Sequence, residues 1–149
     1  MPDLNILITA ASTATAYKLE KELSYADKVV LADEVDLPQV LLKDKNFIKI
    51  PRGDSSAFSH QLLSICLDLE IDKVFPLRKS EIRALAGVRQ LFEEYGIILM
   101  LPAQTDPDEL FGSSRQGKIV VNENDEDYKG RGVYLVNDAD TGYQLLTAD

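Results

Sequence analysis

One cysteine, Cys66, is all the thiol chemistry in this 149-residue chain. That excludes an internal disulfide and fits a reduced compartment. Positive charge is scarce too: 16 Lys and Arg stand against 25 Asp and Glu, a formal net charge of −9. A chain so acidic repels phosphate backbones and anionic headgroups, so neither nucleic acid nor a membrane is expected as a partner. No apolar run approaches the ~20 residues that span a bilayer, segment 97–101 being far too short. The opening residues MPDLN lack the basic and apolar regions of a secretory signal, and the expected location is cytoplasmic. No internal repeat or low-complexity tract is present. Glycine is missing where it would say most. Residues 4–17 read LNILITAASTATAY, an apolar strand running into a helix start, but Ala10, Ala11, Ser12, Thr13 and Ala14 fill the turn that a dinucleotide fingerprint builds from glycines.

What is present is a clear alternation of short apolar runs and helical stripes. With 45% hydrophobic residues the chain can bury a core of single-domain size. Strands are predicted at 5–9, 28–32, 47–50, 73–75 and 97–101. A helix is predicted over 13–25, with Ala16, Leu19 and Leu23 inward, and a short one within 37–44. A third is capped by Asp54 or Ser55 and carries Phe58, Leu62, Ile65 and Leu69 as one stripe. The last, capped by Ser80, carries Leu85, Val88, Phe92 and Tyr95 before Gly96 ends it. Continuous apolar strands between helices define an α/β, Rossmann-like five-stranded parallel sheet with helices on both faces.

Beyond Pro102 the character changes. Residues 103–117 are rich in Asp, Pro, Gly and Ser and read as a connection. Three β-like runs follow at 118–122, 132–137 and 143–147, separated by the acidic loop NENDEDYKGR and the turn DADTG. They predict a small C-terminal antiparallel β meander. The domain division is therefore 1–102 and 103–149. Ile119, Val121, Val133, Leu135, Tyr143 and Leu145 alternate along these runs, so each has an apolar face to be covered, either by the parent domain or by a second copy in a homodimer.

Segments NILITAAS-TA, VVLAD, FIKIP, IDKVFPLRKSE and GIILMLP together resemble the pre-ATP-grasp domain, the biotin-carboxylase N-terminal-like domain of carbamoyl-phosphate-synthase-like ATP-grasp proteins. The likeness covers about two thirds of the chain, from Asn5 to Pro102. It departs from the family in the first loop, where Ala10 and Ala11 replace the usual glycine pair. In that family the ATP and magnesium sites lie in two further domains downstream. The segment after Pro102 is too short for them and has no P-loop. The resemblance therefore implies a stand-alone or split relative that cannot run the ligase reaction alone, and no cofactor is expected.

In an open α/β sheet, ligands bind beyond the carboxyl ends of the strands, which ranks the candidate binding residues. Ser12 and Thr13 follow strand one and offer hydroxyls and N–H groups to a carboxylate or phosphate, with N-capping as the plainer reading. Asp33 ends strand two, where an acidic residue can hold ribose hydroxyls or form an ordinary turn. Arg52, Arg78 and Lys79 follow strands three and four and bring three cations to one edge, suited to a small anion or simply to solubility.

No catalytic or metal residue is assigned. His60 falls about 200° around its helix from Phe58 and should face solvent. Cys66 reads as a small buried hydrophobe. Glu123, Asp125, Glu126 and Asp127, then Asp138 and Asp140, lack cation-loop spacing and read as turn chemistry. The leading expectation is a non-catalytic small-anion binding or assembly module, working with a separately encoded ATP-grasp partner in a carboxylate-amine ligase system. The alternative is a nucleotide- or dinucleotide-binding protein that uses the first loop and Asp33.

Overall fold

The computed structural model describes residues 3–42, 45–103, 105–137 and 142–149. Its first part is a five-stranded parallel sheet of β1 (Asn5–Ile8), β2 (Lys28–Asp33), β3 (Asn46–Lys49), β4 (Lys73–Phe75) and β5 (Ile98–Leu99), in the order β3-β2-β1-β4-β5. Register is continuous across the centre, Leu7 lying opposite Val30 on one side and Val74 on the other.

Successive residues of a strand point to opposite faces, and here both faces are buried. On one, Leu7, Val30, Val74 and Leu99 pack against Phe58, Leu62 and Cys66 of α2 (Phe58–Asp68), Leu85 of α3 (Lys79–Ala86) and Phe92 of α4 (Arg89–Glu94). On the other, Ile6, Ile8 and Phe75 meet Ala16, Leu19 and Leu23 at α1 (Ala14–Glu22). Among the described residues no α-helix follows β5 to complete that layer.

The antiparallel meander completes it instead. Its strands are β6 (Lys118–Asn122), β7 (Gly132–Val136) and β8 (Tyr143–Leu145), in that spatial order. Val133, Leu135 and Leu146 join Ile6, Ile8 and Phe75 in one core. The Ala148 N–H then bonds to Leu77 O at 2.6 Å. The apolar face that the sequence leaves to be covered is thus covered by the chain's own sheet. One detail differs from the expected alternation: Leu146, not Tyr143 or Leu145, faces that core. Leu135 pairs with Gln144, so Tyr143 and Leu145 turn outward with Tyr134, against Ile82 and Leu110.

Other boundaries shift for local reasons. The helix predicted to run from Ser80 to Tyr95 is two helices, broken at Gly87 and Val88 where Val88 N–H bonds back to Leu85 O at 3.1 Å. Tyr95 is exposed rather than part of an inward stripe. Ser80 lies inside α3, and the N-cap position is Arg78, whose N–H donates to Glu81 Oε1 at 3.3 Å. The N-cap of α2 is Ala57. Ser55 Oγ accepts from the Ala57 N–H, while Asp54 pairs with Arg52. The short helix expected within 37–44 is a 3₁₀ turn at Gln39–Leu42, and Lys43 and Asp44 lie outside the described residues. Among the described residues no helix is long and apolar enough to cross a membrane.

Candidate functional site: the carboxyl edge of the sheet

The strand order reverses between β1 and β4, and in doubly wound sheets the crevice outside that switch point is where ligands bind. Three loops meet there. After β1, Ala10 takes the left-handed conformation, φ +55°, which the absent glycine would have adopted freely. The loop's own donors are then consumed inside the chain. Ala11 N–H goes to Ala32 O at 3.0 Å, Thr13 N–H to Ala10 O at 2.9 Å, and Thr13 Oγ1 caps α1 by accepting from Ala16 N–H at 3.3 Å.

Ser12 turns to Asp33, the last residue of β2, which has no exposed surface. Asp33 Oδ2 accepts from the Ser12 N–H at 2.8 Å and from the Ser12 hydroxyl at 2.6 Å. Oδ1 accepts from the Glu34 N–H at 2.6 Å and the Val35 N–H at 3.4 Å, an Asx-type turn. From the third loop, Arg78 Nη2 reaches both oxygens, at 3.0 and 3.2 Å. Burial alone would raise the Asp33 carboxyl, but the Ser12 hydrogen bonds and the Arg78 guanidinium outweigh it and hold the group below its ordinary value.

Beneath this pair lies a second carboxyl of opposite behaviour. Glu81, fully buried, accepts from Arg78 N–H and from the Thr9 hydroxyl, which itself accepts from Leu77 N–H at 2.8 Å. Its Oε2 has no hydrogen-bond partner. Burial dominates here and pushes the carboxyl up to about 7, against the smaller opposing effects of Thr9 and Arg78. The edge is therefore a polar cluster in which the Arg78 guanidinium faces two carboxylates, Asp33 at 3.0 Å and Glu34 at 3.9 Å.

Of the residues singled out in the sequence, Ser12, Asp33 and Arg78 come together and Thr13 caps the adjoining helix. Arg52 and Lys79 do not join them. Arg52 is exposed and pairs with Asp54 at 3.2 Å. Lys79 lies 5.7 Å from the Phe111 ring centre, and its N–H donates to Asp149 Oδ1 at 2.9 Å. His60 is exposed. Cys66 is buried, and burial raises its thiol to about 12, far from a thiolate nucleophile.

The acidic loop is organised from within. The Asn122 side-chain amide donates to the carbonyls of Asn124, Asp127 and Gly130 at 2.9 to 3.1 Å. Asp125 pairs with Arg89 and Arg131, and Glu123 with Lys73. Among the described residues no cluster of three or more His, Cys, Asp or Glu could hold a metal. Asp138 and Asp140 lie outside the described residues.

Sequence reasoning missed Thr9, Glu81 and Asp149. A Glu at the third position of a helix, as in RKSE, is a readable capping signal for Glu81. Nothing local marks Thr9 or Asp149, whose partners are about seventy residues away.

Topology and edge together define a doubly wound α/β domain with its switch point between β1 and β4. More narrowly, the chain belongs to the family described as PylC-like, N-terminal domain, whose model matches residues 6–100, and it is a pre-ATP-grasp domain. The match stops at the end of the parallel sheet, short of the meander. A search of curated protein sequences finds no match.

Proposed function

We propose that this pre-ATP-grasp domain is a non-catalytic assembly module, working with a separately encoded chain that carries the ATP and magnesium sites of a carboxylate-amine ligase. The saturation of Asp33 by five donor groups of its own chain carries this reading. A carboxylate so engaged has little left for ribose hydroxyls, and the first loop's N–H groups at 11, 12 and 13 already have acceptors, so a phosphate would have to displace them. A surface suited to a partner lies alongside. A cleft of about 270 Å³ beside the first loop is lined by Ala11, Ser12, Tyr17, Leu31, Leu37 and Lys45, with Tyr17 itself more than half exposed.

The test is to purify the chain, measure magnesium-dependent ATP hydrolysis, establish whether an ATP-grasp chain is encoded beside it, and mix the two. Expected are no turnover by the chain alone and a stable complex by light scattering that Tyr17→Glu disrupts without changing the melting temperature. Turnover by the pure chain that Asp33→Ala abolishes would overturn the reading and favour nucleotide binding at this edge.

A further inference from the structure

A second crevice lies on the seam between α1 and the meander, and its chemistry is unlike that of the switch point. It measures about 70 Å³. Thr15 and Lys18 of α1 form one wall, Ser114, Arg115, Gln144 and Thr147 the other, and Ile119, Leu135 and Leu146 supply apolar surface. Arg52, Arg78, Arg83, Arg89 and Arg131 each pair with a carboxylate; Arg115 has no carboxylate partner among the described residues. Its Nη1 donates only to the Thr147 carbonyl, at 3.3 Å, which orients the guanidinium without neutralising it. Lys18, across the crevice, likewise has no ion pair among the described residues. In a chain of net charge −9, two exposed cations without an ion pair among the described residues line one small crevice.

The wall is built rather than casual. Gln144 and Ser114 exchange two hydrogen bonds, Ser114 N–H to Gln144 Oε1 at 3.3 Å and Gln144 Nε2 to Ser114 O at 3.0 Å. Gly112 makes room for that amide, since a Cβ there would stand 2.2 Å from Gln144 Oε1. Gly117 takes φ +143°, and a Cβ there would meet Val136 O at 2.6 Å, so this end of β6 approaches β7 as only glycine allows.

We propose that this crevice binds a small aliphatic carboxylate, with Arg115 engaging the carboxylate through its planar fork, Lys18 adding the second charge, and Ile119, Leu135 and Leu146 receiving the short apolar stem. A water-sized group needs ~10–15 Å³ of such space, so the crevice suits a ligand of about five heavy atoms. Propionate has that size. The site is separate from Asp33 and Arg78 and does not depend on assembly with a partner.

The probes are sodium propionate and inorganic phosphate, titrated against the isolated full chain by calorimetry and amide NMR. Expected is saturable propionate binding that shifts amides around Lys18, Arg115 and Leu135. Arg115→Ala should weaken it at least about tenfold, as loss of a charge-assisted pair does. Arg115→Lys, which keeps the charge and loses the fork, should fall between the two, and Lys18→Met should weaken binding with the melting curve unchanged. The proposal is overturned by the absence of saturable binding, by undiminished binding in Arg115→Ala, or by phosphate binding more tightly than propionate at the same residues. None of these outcomes bears on ATP turnover or on the complex with a partner chain, so this site and the assembly reading fail or stand separately.

Discussion

Arg78 and Arg115 occupy two clefts of the same small protein and do opposite things. At the switch point, Arg78 is spent on Asp33, a carboxylate with no exposed surface, and the pair ties the ends of β1, β2 and β4 together. On the seam, Arg115 has only a carbonyl among the described residues and shares its crevice with Lys18, which has no ion pair among them. Both look alike in sequence, as basic residues in polar stretches. What separates them is whether the chain itself supplies the anion. A buried pair of charges contributes little net stability over apolar residues of similar volume, but removing one member leaves the other stranded and is costly. A bare exposed cation costs nothing to remove and leaves its pairing capacity for something else.

The comparison breaks first at Asp33. Asp33→Ala removes the nearer carboxylate of Arg78, leaving it only Glu34 at 3.9 Å, and leaves the Ser12 N–H without its acceptor, so we expect a loss of about 3 kcal/mol. The lower end of the buried-pair range is appropriate because Arg78 retains 16% exposure and can turn toward water. For a chain of this size that is a fall in melting temperature of roughly 6–12 °C. Arg115→Ala should move stability by no more than about 0.5 kcal/mol. Equal losses in denaturant melts would show that the two arginines are not different in kind. The pH dependence has a definite sign. Asp33 is held below its ordinary value in the fold, so its contribution is present above the ordinary carboxylate range and is lost as pH falls through and below it.

Glu81 sharpens the comparison, because it lies in the same cluster with the reverse sign. Its folded carboxyl, at about 7, is above the ordinary Glu value of 4.5, so the fold binds a proton there that the unfolded chain releases. Its contribution is therefore complete below about pH 4.5 and is lost as pH rises through 7. Glu81→Gln keeps the size and an oxygen to accept from Thr9 and Arg78, and removes the titration. We expect the variant to be more stable than the parent by about 3 kcal/mol at pH 8 and nearly equal to it near pH 4.5. A constant difference across that range, measured by thermal melting, would mean that Glu81 does not titrate in the fold.

The architecture was legible because strands buried on both faces must be apolar throughout, and VVLAD or KVF between amphipathic helices leaves few other arrangements. Subtler elements were not. In YQLLT two leucines stand side by side, so alternation does not say which faces the core, and β8 presents Leu146 inward only because Leu135 pairs with Gln144. The break between α3 and α4 hides inside a stripe whose apolar spacing continues past Gly87. At the edge, Ser12 and Asp33 were legible from position alone, since each ends or follows a strand. Arg78 was legible as a basic residue but not as Asp33's partner, a contact spanning 45 residues. Arg115 carried no local signal. Its distinction is the carboxylate it lacks, and only the set of ion pairs in the folded chain reveals that.

Ala10 provides the smallest effect and tests how the sealed edge came to lack its glycine. At φ +55° an alanine bears a left-handed cost of about 1–2 kcal/mol, which Ala10→Gly would relieve. Two terms oppose that gain. Ala10 is fully buried in the core with Ile6 and Ile8, and losing its methyl forfeits about 0.8 kcal/mol. Glycine also gives the unfolded chain more freedom, another 0.4–1 kcal/mol or so against the fold. The sums nearly cancel, so we expect Ala10→Gly to change stability by less than about 0.5 kcal/mol in denaturant titration. A near-zero result would mean that the methyl is held in place by packing despite its backbone, and that the loop's shape is set by the Ser12–Asp33–Arg78 cluster rather than by the residue at the turn. A gain above about 1 kcal/mol would instead mark Ala10 as a strained replacement whose methyl contributes little to the core.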